Sequence, residues 1–331
     1  MKMRARFLGP LVALALLAEV VGMWAQSTGA MQPQGNGIDP VLLAKAQAGD
    51  ADAENRIGYS YGRLGLFKES HRWQLKAAEN GNVAAMEIVA GDFELGRGVP
   101  QDDGQAFFWY RKAAEQGDAE AQDNLGGVYE DGRVVQQSFA DAAFWYRKAA
   151  LQGNANGQSN LAGLYADGRG LIQDYVQAAF WYRKAADQGH ADAQMQLGQL
   201  YDYGQGVPQN YAEAAIWYRK AAEQDDSGAQ YGLGCLYANG YGFPKNNAEA
   251  YFWLDVAAAL VKGQDLPAAA ERDIIAAKLS PAELSEAQER AAKWFVEHPA
   301  PPCIQVSDQT KTCYRTVQEM ESVINSQKEK P

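Results

Sequence analysis

The sequence predicts an all-α fold, a right-handed α/α solenoid in which similar helix pairs stack along one axis. Three observations carry this prediction. The hexapeptide WYRKAA begins at Trp109, Trp145, Trp181 and Trp217, each copy 36 residues after the last, and the looser WQLKAA and WLDVAA extend the register to Trp73 and Trp253. A fixed period of about 20 to 50 residues marks a solenoid. Helix-capping residues recur twice within each period, and the apolar residues form two stripes per unit that a single helix pair cannot bury.

The chain opens with Lys2, Arg4 and Arg6, followed by an apolar run from Phe7 to Ala18 and then small residues. This is the layout of a secretory signal peptide. Pro10 and Glu19 interrupt the run, which is shorter than the roughly 20 residues that span a bilayer. Cleavage after Ala25, or as late as Ala30, is therefore expected rather than a retained anchor, and no cysteine follows the run to take a lipid. Residues 26–38 read as a flexible linker, and a helix over Val41 to Ala48 is expected to cap a solenoid covering 39–261.

Two helix starts and two helix ends are written into each unit. Asn82, Asp118, Asn154, His190 and Asp226 precede the first helices, and Asp102, Ser138, Asp174, Asn210 and Asn246 precede the second. Nearly all are side chains that accept from the unpaired amides of a helix start. Gly96, Gly132, Gly168, Gly204 and Gly240 follow the first helices, while Gly81, Gly117, Gly153 and Gly189 follow the second. Glycine takes the left-handed conformation that ends a helix. The connecting turns read GRGVPQD, GQGVPQN and GYGFPKN, but Val134 and Gln136 replace the second glycine and the proline in GRVVQQS, so that turn should be less regular. No strand precedes these glycines and no Lys-Ser or Lys-Thr follows, which separates them from phosphate-binding loops.

Leu125, Val128 and Tyr129 form one stripe of a unit, and Ala142, Trp145, Tyr146 and Ala149 the other. Burial of each tryptophan contributes roughly 4 to 6 kcal/mol gross. The ladder Trp73, Trp109, Trp145, Trp181, Trp217 and Trp253 is accordingly read as core rather than as a ligand-stacking platform.

The string LGxxYxxGxGVPQxxxxAxxWYRKAAEQG, carried from Leu125 and repeated from Leu161, Leu197 and Leu233, resembles the Sel-1-like repeat, a long-turn relative of the tetratricopeptide repeat. The resemblance spans about residues 50 to 261. Its first unit departs: Ile57 lies 16 residues before Trp73, against 20 between Leu125 and Trp145, so its turn is shorter. RDIIAAKLSPAEL resembles the closing segment of bacterial members and implies a helical cap over 262–298, with Ser280, Pro281 and Glu283 forming a capping box. The export signal and this resemblance together imply a bacterial protein that is periplasmic or secreted.

Residues 299–331 form a proline-rich tail with a polar loop between Cys303 and Cys313 and a weak amphipathic helix bearing Tyr314, Val317, Met320 and Ile324. In an oxidising compartment the two cysteines are expected to close a disulfide, leaving Cys235 as a buried free thiol. Two cysteines without a nearby histidine cannot fill a zinc site.

The formal charge is −11, and loss of the three basic signal residues with Glu19 takes it to −13. Such acidity argues against nucleic acid as a partner. No G-x-S-x-G, H-E-x-x-H, C-x-x-C or S-x-x-K is present, and His71, His190 and His298 lie in different units, so no catalytic, metal or cofactor site is assigned. The Arg-Lys pairs at 111/112, 147/148, 183/184 and 219/220 make a basic ladder, read as favoured by helix C-termini and local acids rather than as a polyanion site.

The resemblance implies a non-catalytic scaffold binding a protein or peptide on the concave face of the first helices. The alternative is a cell-wall-associated or β-lactam-interacting enzyme, as linked to exported relatives with cysteine-paired repeats; this chain lacks those pairs. Alignment with the tetratricopeptide pattern projects Glu87, Glu94, Asp123, Glu130 and Ser159 into the groove in the first half of the array, with Gly91 and Gly127 between them. Met195, Gln199, Asp202, Tyr203 and Tyr231 follow in the later units. The expected ligand is an extended segment, basic toward the N-terminal units, with an apolar or aromatic anchor toward the C-terminal ones.

Overall fold

A computed structural model of the chain describes residues 38–260 and 267–298, together with the backbone of 303–307 and 310–313. The signal segment, the linker up to residue 37 and the weak helix expected beyond Tyr314 lie outside the described residues. A capping helix α1 (Pro40–Gln47) is followed by six helix pairs: α2 (Ala51–Arg63) with α3 (Phe67–Glu79), α4 (Val83–Leu95) with α5 (Asp103–Glu115), and α6 (Ala119–Asp131) with α7 (Phe139–Leu151). The stack continues as α8 (Ala155–Asp167) with α9 (Tyr175–Asp187), α10 (Ala191–Tyr203) with α11 (Tyr211–Ala222), and α12 (Ser227–Asn239) with α13 (Asn247–Leu260). Helices α14 (Pro267–Ala276) and α15 (Pro281–Glu297) close it, and each helix packs mainly on its sequence neighbours. The architecture is the α/α solenoid that the period predicts.

Local chemistry sets these boundaries. All ten recurrent caps accept as expected: Asp118 Oδ1 takes the Ala121 amide at 2.8 Å, Asp102 Oδ1 that of Gln105 at 3.0 Å, and His190 Nδ1 that of Ala193 at 3.2 Å. Gly96, Gly132, Gly168, Gly204 and Gly240 end the first helices in the left-handed region, with φ between 66° and 74°. After α11 the glycine is replaced by Asp225, which takes φ 65° itself.

The turn around Val134 is irregular, for a steric reason. Gly170, φ 66°, lies so close to the start of α7 that an added Cβ would sit 2.3 Å from the Phe139 carbonyl carbon. Gly98 and Gly206 make the same close approach to α3 and α9. Val134 carries a Cβ and stays out of the left-handed region. The helix-end bond that Arg97, Arg169 and Gln205 amides make to the preceding helix is not formed at Arg133.

The core is built where second-helix aromatics meet small residues of the first helices. Tyr146 lies against Gly126, where an added Cβ would come within 2.6 Å of its ring, and Tyr218 repeats the fit at Gly198. Trp73, Trp109, Trp181, Trp217 and Trp253 are buried as expected. Trp145 is only half-buried, a departure from the ladder. The Arg183 guanidinium lies 5.5 Å over Trp217, whereas its counterpart beside Trp145, Arg111, turns away to Glu115 at 2.8 Å.

A row of buried glutamines joins the units. Gln122, Gln158, Gln194 and Gln230 each donate to a carbonyl of the preceding second helix, at 3.0 to 3.2 Å. Gln152, Gln188 and Gln224 donate in turn to the Oε1 of Gln122, Gln158 and Gln194, each at 2.8 Å. In the first unit Glu54 takes the glutamine's place, fully buried and held by Lys76 at 3.0 Å and Asn80 at 2.7 Å.

At the C-terminal end Ser280 and Glu283 form the expected capping box of α15. Beyond it the chain makes an antiparallel hairpin, β1 (Cys303–Ser307) and β2 (Thr310–Cys313), in place of the loop read from the sequence, with Cys303 opposite Cys313. Cys235 is free but half-buried rather than buried, and burial raises its thiol to about 11. Among the described residues no helix is long and apolar enough to cross a membrane.

Candidate ligand groove along the first helices

The first helices α4, α6, α8, α10 and α12 carry all the residues projected into the groove. Glu87, Glu94, Glu130, Met195, Gln199, Asp202 and Tyr231 are half-buried, and Tyr203 is exposed. Asp123 and Ser159 depart from expectation, since both are buried. Neighbouring units take them up: Asp123 Oδ1 accepts from Asn160 Nδ2 at 2.9 Å, and Ser159 Oγ donates to Asp192 Oδ2 at 3.2 Å. They tie successive first helices together rather than stand open to a ligand.

Three carboxylates are fixed by tyrosines of the paired second helix. Tyr110 donates to Glu94 at 2.7 Å, Tyr146 to Glu130 at 2.8 Å and Tyr218 to Asp202 at 3.2 Å. Burial and the partner carboxylate both push these phenols above their ordinary range. In the intervening unit Ala166 stands where the acid would be. The tyrosines were legible only as core; their second task was signalled by an acid 16 residues before each of them, at the repeat period.

The tyrosine-fixed acids are not equally occupied. Arg169 Nη1 lies 2.9 Å from Glu130 Oε1 and its Nη2 2.9 Å from Asp167. One unit earlier Arg133 pairs with Asp131 at 2.8 Å, and Arg97 approaches Asp92, which also faces His71 Nδ1 at 3.1 Å. Among the described residues neither Glu94 nor Asp202 pairs with a cation. A crevice beside Glu94 is lined by Asp103, Tyr110, Asp131, Arg133 and Val134. Glu87 completes the acidic end: burial, then the nearby Asp118 and Glu120, raise it to about 7. Burial likewise lifts Asp123 to about 6, against the lowering effect of Asn160.

Toward the C-terminus the face becomes apolar. Met195 packs beside Tyr201 and Tyr211 on one cluster, and Tyr231 on the next with Tyr237. The basic ladder splits in two. Arg147, Arg183 and Arg219 donate to Tyr165, Tyr201 and Tyr237 of the following unit, whereas Lys112, Lys148, Lys184 and Lys220 lie over aromatic rings of their own helices at 4.0 to 5.1 Å. Among the described residues no group of three His, Cys, Asp or Glu side chains is placed to hold a metal ion.

The repeat and its geometry define a Sel1-type solenoid. The family model described as the Sel1 repeat matches residues 51–82, 84–118, 119–154, 155–190, 191–226 and 227–261, and the chain belongs to this family. A Sel1 repeat protein from Oxalobacter formigenes is 30% identical, with 72% of this chain and 96% of that chain covered and a TM-score of 0.62. A protective antigen of uropathogenic Escherichia coli strains, displaying an SLR fold, is 29% identical, with 81% of this chain and 68% of that chain covered and a TM-score of 0.53. No curated protein matches the chain. Sel1 repeat proteins are generally scaffolds for protein interaction.

Proposed function

We propose that this chain is a non-catalytic scaffold of the bacterial cell envelope, exported to the periplasm or secreted, which holds an extended protein segment on the face of its first helices. The ligand presents arginine or lysine to the N-terminal units and an apolar or aromatic side chain to Met195, Tyr203 and Tyr231.

The observation that carries this reading is the Glu130–Arg169 pair. A tyrosine-fixed carboxylate of the array already receives a guanidinium in one unit, and Glu94 and Asp202 hold the same tyrosine-fixed acid with no cation paired to it among the described residues. A carboxylate fixed in advance loses little freedom when it binds, which favours affinity. Arginine suits such a site because its planar fork can meet both oxygens.

The test starts from a partner captured from envelope extract by the mature protein. Its affinity is then measured at two salt concentrations for Glu94→Gln and Tyr231→Ala. Each change should weaken binding by about 1 kcal/mol or more, and the Glu94 effect should shrink at high salt. If neither change weakens binding, the ligand uses another face.

A further inference from the structure

We propose that the outer row of the second helices is a second docking surface, which takes an acidic amphipathic helix from another protein. Phe108, Phe144, Phe180 and Ile216 occupy one position of α5, α7, α9 and α11, at the 36-residue period, and each is about half exposed, at 53%, 51%, 49% and 50%. Leu151, 71% exposed, and Val176, 62% exposed, widen the row at its centre. An apolar surface continued over several units is unusual for a part of a protein that faces only water.

The molecule shows what covers this position. In the sixth unit the equivalent residue is Phe252, and it is 5% exposed. Helix α15 lies over it, with Trp294 edge-on at 5.9 Å and the Arg290 guanidinium at 4.7 Å. One turn along, the covered unit carries Val256, fully buried, where the open units carry Lys112, Lys148, Lys184 and Lys220. The open row thus repeats the apolar element of an interface already formed by α15 and adds a line of cations to it. An occupant must bring an aromatic or aliphatic stripe for the phenylalanines and carboxylates for the lysines, whose ammonium groups lie over the rings beside them. Opposite charges of this kind set orientation and reject partners of the wrong sign.

The surface is distinct from the groove of the first helices, so the two proposals fail separately. The probe is a fluorescent synthetic peptide of residues 280–298 carrying Arg290→Glu and Lys293→Glu, titrated with the full mature chain. Saturable binding is expected, reduced at least tenfold by Phe144→Ser with Phe180→Ser and by Lys148→Glu with Lys184→Glu. The lysine effect should fade at high salt, and Glu94→Gln should leave binding unchanged. These side chains are exposed, and circular dichroism with thermal melting verifies that each variant keeps its fold. Absence of saturable binding overturns the proposal, as does equal binding of a Trp294→Ala version of the peptide. Lysine-dependent binding of anionic lipid vesicles or heparin, without binding of the peptide, also overturns it and assigns the row to polyanions.

Discussion

Arg169 closes on Glu130 across a repeat boundary at 2.9 Å, yet the same two residue types one unit earlier, Arg133 and Glu94, do not meet. The difference traces to Val134, which cannot take the left-handed, close-packed place that Gly170 occupies in the later turn. Val134→Gly should let the turn close and bring Arg133 to within about 4 Å of Glu94, the range of an ion pair. A crystal structure of the variant decides this; Arg133 still on Asp131 would show that the turn is not what keeps the pair apart.

Trp181→Ala should cost about 3 to 5 kcal/mol in urea unfolding, as large aromatic deletions in cores do. Trp145→Ala should cost roughly half as much, because its ring is already half in water. Equal losses at the two positions would show that exposure does not set the contribution of the ladder.

Asp225 holds φ 65° where the earlier units have glycine. Asp225→Gly removes a side chain from a conformation that disfavours it and should raise stability by about 0.5 to 1 kcal/mol, less the entropy that glycine adds to the unfolded chain. An unchanged or lower thermal midpoint would count against strain at this position.

Glu87 is raised from 4.5 to about 7 in the folded chain. The native state therefore binds this proton more tightly than the unfolded state does. The stability it contributes is complete below about pH 4.5 and is lost as pH rises through about 7. With a discount for solvent at a half-buried site, the change is about 1 to 2 kcal/mol. Asp123, raised to about 6, acts in the same direction. Denaturant midpoints should fall from about pH 4 to about pH 7, as these acids ionise first in the unfolded chain and then in the folded one, and Glu87→Gln should flatten most of that slope.

The hairpin register sets the Cys303 and Cys313 backbones opposite each other. Directly opposed residues of an antiparallel pair have Cα atoms about 4.5 to 5.5 Å apart, within the span of a disulfide. Mass spectrometry of non-reduced peptides from exported protein should recover the two joined, with Cys235 alkylated. Recovery of Cys235 in a bridge would contradict both assignments.

The helix pairs, their caps and their ends were legible because each is set by residues a few positions apart, and a period repeats the message. Trp145 was not: it keeps its place in the period, yet Arg111, 34 residues before it, turns to Glu115, whereas Arg183 lies over Trp217. Asp123 and Ser159 were misplaced for a related reason: each meets its partner, Asn160 or Asp192, from another unit. Alignment with a shorter repeat fixes which side of a helix a residue occupies, but not how closely the next helix approaches. The glutamine row was readable from period alone, yet glutamine on a helix is so common that only its burial gives it meaning.

That row also has a direction and two ends. It starts from Glu54 and Met86, which stand where later units have glutamine and accept from Asn80 and Gln116, and it stops at Gln230, whose Oε1 is buried without a donor among the described residues because Leu260 follows where another glutamine would stand. Between those ends every link is the same. Insertion or deletion of a whole 36-residue unit in the middle would therefore leave each donor with an acceptor, whereas a fractional unit would strand two buried amides. The array is in this respect a copolymer with encoded end groups, free to vary in length by integers only.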